Sequence, residues 1–430
     1  MIFKITSLDR FNNPKIHYFD NIFLEVFNQN KEKINFLSDV KYQGLKSSKP
    51  FSNKGDFKST DVDHLRIQLG LKCNYSCKYC LQQEEREQFL TQEVALPPQS
   101  TAKNFMKLLE KINSVKRITL WGGEPLVYIK VLYELVPLLR KKFPDTKLAI
   151  ITNGSLLSEK IVDFLIQYSI NLDVSHDGKH FSYFRDDKDP LNNPNIVKAI
   201  LKYIDATKKD RRISFKIRTV ITPLNIDLID TIEYFYKIFG QKIRVYFESI
   251  LRLDDKSILK DCRFTQEKAQ QLFSNIIAYC NTPGNDKEDP FFSLRNDVSD
   301  IMVRIANQQS MLEVPYRCGS AKKENITIDL KGNLIECPSS NIKSAYLGHI
   351  NDLESLKNSK FKHWNTRKDC QKCPFLVGCR SGCSIAENAK QEIICESYKI
   401  YYAALFFSAW QHLFNSRIIS IEPEVNHGNN

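Results

Sequence analysis

The sequence predicts an α/β fold: a parallel sheet of six strands covered by helices, followed by a smaller cysteine-rich region. Three observations predict it. Between Leu65 and Ser249, six short apolar segments alternate with stretches of helical periodicity, a pattern that builds parallel sheets with helices outside. The stretches KCNYSCKYC, GGEP, NG and SHDG each follow one of the first four strands, and sheets of this type carry their sites at those ends. Seven of the twelve cysteines come after Pro315.

Residues 1–60 are rich in Asn and Lys with scattered aromatics and form an N-terminal extension of unassigned fold; 45–57 reads as loop. Residues 61–254 hold the alternation. LRIQLG is a strand and the cysteine loop follows it. A helix over 100–114 leads to the strand RITLW, then GGEP and a helix over 128–143. KLAIIT is a strand followed by NG and a helix over 158–168; NLDVS is a strand followed by HDG and a helix over about 196–207. SFKIRTV, a helix over 227–239 and KIRVYFES complete the series. Residues 255–310 read as a helical connection. Residues 311–416 hold the seven cysteines, the hairpin-like pair ITIDL-KGN-LIEC and a last helix from about 397 to 415, and 417–430 read as a tail.

The 430 residues, 42% hydrophobic and 26% charged, suit a soluble protein of two or three domains. The amino terminus is polar where a signal peptide needs an apolar run. The longest apolar stretch, 400–414, is too short to span a membrane and contains Ser408, Gln411 and His412, so it reads as a buried amphipathic helix. A cytoplasmic protein without a membrane partner is expected. The formal charge of +12 is spread over the whole chain, which disfavours nucleic acid as the partner. In a reducing compartment, clustered cysteines are metal ligands or redox groups more often than disulfides.

Cys73, Cys77 and Cys80 follow the spacing C-x3-C-x2-C. Three thiolates hold three corners of a cubic iron–sulfur cluster and leave one iron open to a small molecule, whereas an electron-transfer cluster has all four corners closed. A zinc site completed by a remote His is the alternative. With Tyr79 inside the loop, and Gly122, Gly123, Glu124 and Pro125 after the second strand, the region Leu65 to Ser249 resembles the radical S-adenosylmethionine (SAM) enzymes. The resemblance implies a partial (β/α)6 TIM-like barrel, a 4Fe–4S cluster on the three cysteines, and SAM chelated to the open iron. It also implies reductive cleavage of SAM to a radical that abstracts a hydrogen atom, with an external low-potential donor such as flavodoxin or ferredoxin.

Roles for the remaining residues follow from position. Gly122 and Gly123 let backbone approach the ligand, a tight turn being a compatible reading. Glu124 suits the SAM ammonium. Tyr79 lies where the family places an aromatic beside the adenine. Asn153 and Ser175 stand at strand ends, available to ribose or carboxylate or simply forming turns and caps. Arg218, inside the fifth strand, is costly to bury alone and meets either the SAM carboxylate or a structural ion pair.

The late cysteines run Cys318, Cys337, then Cys370, Cys373, Cys379 and Cys383 as C-x2-C-x5-C-x3-C, then Cys395. A zinc ribbon is one reading. The seven-cysteine order resembles the SPASM domain of radical SAM enzymes that modify peptides. That resemblance implies two auxiliary 4Fe–4S clusters, three in all. Cys370, Cys373, Cys379 and Cys395 close one. Cys318, Cys337 and Cys383 hold the other, with an open or non-cysteine corner because SMLEVPYR before Cys318 contains no cysteine, although Glu313 is there. Cys262 and Cys280 read as core residues.

SPASM likeness implies a ribosomally made precursor peptide, leader plus core, as substrate. VSHDGKHFSYFRDDKDPL, 174–191, resembles a segment of XYE-type cyclophane-forming and darobactin-type peptide maturases, which implies side-chain cross-linking at aromatic residues. Formylglycine formation, as in anaerobic sulfatase maturases, is disfavoured because Pro338 follows Cys337 where that group has an Asp base. Epimerisation stays open. Residues 1–60 and the aromatic C-terminal helix are the candidate leader-peptide contacts, ordinary packing being the alternative.

Overall fold

The computed structural model describes residues 1–45, 60–80, 82, 96–249, 262–282, 289–314, 317–322, 324–337, 346–352, 363–383 and 388–424. Six parallel strands form its centre: β4 (Asp61–Gln68), β5 (Ser114–Trp121), β6 (Lys147–Thr152), β7 (Ile170–Ser175), β8 (Phe215–Ile221) and β9 (Val245–Ser249). They pair in sequence order, each parallel to the next. Crossover helices follow: α1 (Pro98–Leu108), α2 (Ile129–Lys142), α3 (Glu159–Gln167), α4 (Pro194–Lys209) and α5 (Leu228–Phe239). Local signals set their ends. Ser158 accepts from the Ile161 amide at the start of α3, Asp227 caps α5, and Gly240, at φ 66°, ends it in the left-handed region. Strand residues such as Leu65, Ile67, Ile118, Leu120, Ile150, Leu172 and Val174 are fully or almost fully buried, as strands covered on both faces must be.

The late hairpin is part of this sheet and not a separate unit. The strand β10 (Asn325–Asp329) runs parallel to β4, with Ile326 opposite Leu65 and Ile328 opposite Ile67. The strands β11 (Asn333–Ile335) and β12 (Tyr346–His349) extend it to nine strands. Ile326, Thr327 and Ile328 are all buried, so β10 has the two-faced burial of an internal strand.

Residues 1–60, of unassigned fold in the sequence, supply β1 (Ile2–Asp9), β2 (Pro14–Asp20) and β3 (Val26–Phe27) of an antiparallel sheet. Its fourth strand is β13 (Ser416–Pro423), paired along β1. The expected tail is therefore corrected over 417–423, where alternating burial from Ser416 to Ile418 gives the strand a core face, and 425–430 lie outside the described residues. Two helices, α6 (Gln266–Asn281) and α7 (Phe292–Ala306), fill the expected connection. The last helix, α8 (Asn388–Phe414), starts earlier than the periodicity predicts and ends at Asn415, at φ 49°. Nor is its apolar stretch amphipathic. Tyr401–Phe406 and Ser408–Trp410 are buried, because Phe406 and Trp410 pack on Phe19 of β2 while Phe407 packs on Phe273 of α6. Among the described residues, no helix is long and apolar enough to cross a membrane.

Candidate active site

The carboxyl ends of β4 to β9 open into a cleft of about 1030 Å³, the space at its mouth included. Cys73, Cys77, Cys80 and Tyr79 line it from the loop after β4, Gly122, Gly123 and Glu124 from the turn after β5, Asn153 from the end of β6 and Ser175 from the end of β7. Nine of the expected residues thus face one cavity.

The two glycines have a reason within the chain. A Cβ on Gly122 would stand 2.7 Å from the Gly70 carbonyl oxygen, and one on Gly123 would fall on the backbone of Leu71 and Lys72. The Gly123 and Glu124 amides donate to the Gly70 and Lys72 carbonyls at 2.9 and 2.8 Å. The turn after β5 is laid against the root of the cysteine loop, and only glycine permits that approach.

Glu124 is 1% exposed. Its Oε1 accepts from Thr152 Oγ1 at 2.6 Å and the Leu126 amide at 2.9 Å, and its Oε2 from the Asn153 amide at 2.7 Å. It braces the ends of β5 and β6. Burial pushes its pKa up to about 7, against the pull of these hydrogen bonds, so a cation arriving in the cleft would favour the charged form. Asn153 donates to Asn74 Oδ1 at 2.9 Å and ties β6 to the cysteine loop. Pro125 opens a short 3₁₀ turn and is buried behind the cleft.

Arg218 does not line the cleft. Its Nε meets Asp173 Oδ2 at 2.8 Å and its NH1 meets Glu248 Oε1 at 2.7 Å. The buried Asp173 holds the guanidinium from the neighbouring strand, so of the two expected contacts Arg218 makes the structural ion pair. The cation in the cleft wall is Arg185, 9% exposed, which sequence reading missed. Gln82 and Glu248 also line the cleft. Asp177 lies behind Arg185, and both fall inside the quoted 174–191 stretch; an Arg eight residues after the Asp of HDG was the available signal.

All twelve cysteines are thiols, none in a disulfide. Burial pushes the Cys77 thiol up to about 12, so binding of iron there must displace a proton. The loop and cleft fit the donor set of a cluster with one open corner: three thiols within one short loop, facing space for a ligand.

Residues 67–235 match the Radical SAM superfamily. The chain carries a radical SAM domain. It is an enzyme, and its domain type brings a 4Fe–4S cluster and SAM. The radical SAM cyclopropyl synthase TigE of Paramaledivibacter caminithermalis is 23% identical, over 79% of this chain and 73% of that protein. GTP 3',8-cyclase of Campylobacter lari is 32% identical over 34% of this chain and 42% of its own. The solved structure of anSMEcpe with bound AdoMet and Cp18Cys peptide superposes with a TM-score of 0.55 at 17% identity, covering 82% of this chain and 99% of that one. This last likeness is one of fold, the partial barrel.

Beyond the radical SAM domain, Cys370, Cys373, Cys379 and Cys395 line a single second cavity of about 470 Å³, its opening included. Two one-turn helices, Lys368–Gln371 and Leu376–Cys379, carry Cys370 and Cys379, and Cys373 lies between them. Burial raises the pKa of all four thiols. Cys318 and Cys337 both lie in the field of Arg66, a partly buried residue of β4 that donates to Ser320 Oγ at 3.1 Å. Cys383 lies beside Tyr398, and its carbonyl accepts from Arg367 at 3.2 Å. Among the described residues, no three His, Cys, Asp or Glu side chains are gathered as ligands of a single metal ion. Cys262 and Cys280 are buried, 1% and 4% exposed.

Proposed function

We propose that this enzyme matures a ribosomally made precursor peptide, taking a hydrogen atom from the peptide and installing side-chain cross-links, carbon–carbon or ether, at aromatic residues. The observation that carries the reading is the second cavity, lined by the four cysteines that the SPASM pattern assigns to one auxiliary cluster. Cys73, Cys77 and Cys80 would hold the SAM-binding cluster, Tyr79, Gly122, Gly123, Glu124, Asn153 and Ser175 would surround SAM, and Cys318, Cys337 and Cys383 would hold a third cluster. When bound, cluster and SAM together supply a one-electron reductive cleavage that yields a hydrogen-abstracting carbon radical. The chain's own part is to position SAM and peptide in the cleft and to keep water out.

Joining two side chains removes two hydrogen atoms in total. One leaves by abstraction; the other leaves as a proton and an electron, and the electron needs an acceptor inside the protein. An auxiliary cluster in the cysteine-lined cavity is that acceptor. A curated relative is named for cyclopropyl synthesis, and the fold is shared with a protein solved with AdoMet and a peptide bound. Formylglycine formation is the second reading, favoured by that fold likeness, and opposed by Pro338 after Cys337.

The test is metal content and SAM cleavage after oxygen-free reconstitution, with candidate precursor peptides added. The expected result is about twelve irons per chain, 5′-deoxyadenosine on reduction, and a peptide lighter by two hydrogens that does not fragment between the joined residues. About four irons with bound zinc would make the late cysteines structural and remove the peptide reading.

A further inference from the structure

The segment after β7 folds back over the cysteine loop. The Lys78 amide donates to the Phe184 carbonyl at 2.7 Å, and the Tyr75 hydroxyl to the Lys188 carbonyl at 2.8 Å. Within this frame the Asp177 carboxylate, 1% exposed, accepts from four donors. The Tyr79 hydroxyl and Arg185 Nε (2.8 Å) reach its Oδ2; Arg185 NH2 and the Val220 amide, both at 3.1 Å, reach its Oδ1. The Arg185 guanidinium lies 5.4 Å from the Tyr79 ring centroid and shares the cleft wall with Cys77. A buried cation is costly unless paired, and Asp177 pairs it in a two-point fork with little freedom to move.

We propose that Arg185, held by Asp177, is a positioning residue that sets the reduction potential of the cluster at Cys73, Cys77 and Cys80. The inference rests on the proposed assignment of that cluster to these three cysteines. Reduction adds one negative charge to the cluster. A fixed cation next to Cys77 stabilises the reduced form more than the oxidised one and makes the cluster easier to reduce, most of all in a water-poor site. Arg185 reaches the cleft wall beside Cys77, whereas its partner Asp177 does not line the cleft and carries the opposite charge. The two partners must therefore act on the cluster with opposite signs.

The experiment is a redox titration followed by electron paramagnetic resonance on the reconstituted full-length protein. The cluster in question is the one whose signal changes shape when SAM is added. Arg185→Met should lower its midpoint potential, making reduction at least tenfold less favourable, ~59 mV for a one-electron couple. Asp177→Asn, which leaves the cation without its counter-charge, should raise it. Arg185→Lys keeps the charge and should stay near the parent value. A role in packing alone would move the Met and Asn variants in the same direction, by loosening the loop and admitting water, and that result overturns the inference. So do unchanged potentials in both variants with signal and iron intact, which would leave the cysteine assignment standing. Failure of the assignment shows separately, as no SAM-sensitive signal in the parent protein, and takes this inference with it.

Discussion

Asn21, on the turn after β2, donates from its side-chain amide to the carbonyl of Cys373 at 2.9 Å. A second hydrogen bond, 3.0 Å, runs to the Gln371 carbonyl. Asn21 is fully buried, so the N-terminal sheet fixes the turn that carries two of the four cysteines of the second cavity. Asn21→Ala should cost about 1–3 kcal/mol, because it removes two hydrogen bonds made by a fully buried side chain. It should also lower iron occupancy at the Cys370 set while SAM cleavage persists. Iron analysis and thermal unfolding check this; full iron loading with parent stability would make the contact incidental.

Cys77→Ala tests the first site by subtraction. With three clusters in the parent, iron should fall from about twelve to about eight per chain, and 5′-deoxyadenosine formation should stop. The late cysteines lie on other elements, so their iron should remain. Retained SAM cleavage would remove Cys77 from the cluster.

The strands β4 to β9 were legible because each is a short apolar run bounded by turn residues, and the cleft was legible because its residues sit at the ends of those runs. Long-range pairing was not. Nothing local in Ser416–Pro423 or Asn325–Asp329 announces that they pair with β1 and β4, since register is set by the partner strand and the face it buries. The cleft cation was not legible for the same reason, and Arg218 stood open between a carboxylate contact and an ion pair. Arg218 carries the residue type a carboxylate site would use, but Asp173 on the adjacent strand holds it, while Arg185 faces the cleft from a segment whose periodicity gave no direction.

Arg218→Met should act on stability more than on SAM. The substitution leaves Asp173, 2% exposed, with Lys216 at 3.2 Å as its remaining partner. A loss of about 2–3 kcal/mol is expected, below that for a buried pair left wholly unpartnered. SAM affinity should change by less than about tenfold, ~1.4 kcal/mol. Equilibrium binding and urea unfolding separate the two; a larger loss of SAM affinity at parent stability would return Arg218 to the cleft.

His17 makes the N-terminal sheet acid-sensitive. Its ring lies 5.5 Å from that of Trp410 and 4.4 Å from that of Phe414. Burial there lowers its pKa from 6.5 to about 4, with Lys15 adding to the fall. Above pH 6.5 the folded and unfolded chains both hold a neutral ring and no penalty arises. Between pH 6.5 and 4 the unfolded chain takes up a proton that the folded chain refuses, so stability drops as pH falls; below pH 4 the loss is complete, about 3 kcal/mol. His64, lowered by burial to about 3, contributes a parallel slope that a change at position 17 leaves alone. His17→Phe keeps the aromatic packing and removes the titration. Its stability should therefore vary less steeply than the parent's between pH 6.5 and 4, and the two should run parallel above pH 7. Unfolding midpoints across that range decide it: equal slopes would mean that the ring gains its proton without leaving its place against Trp410.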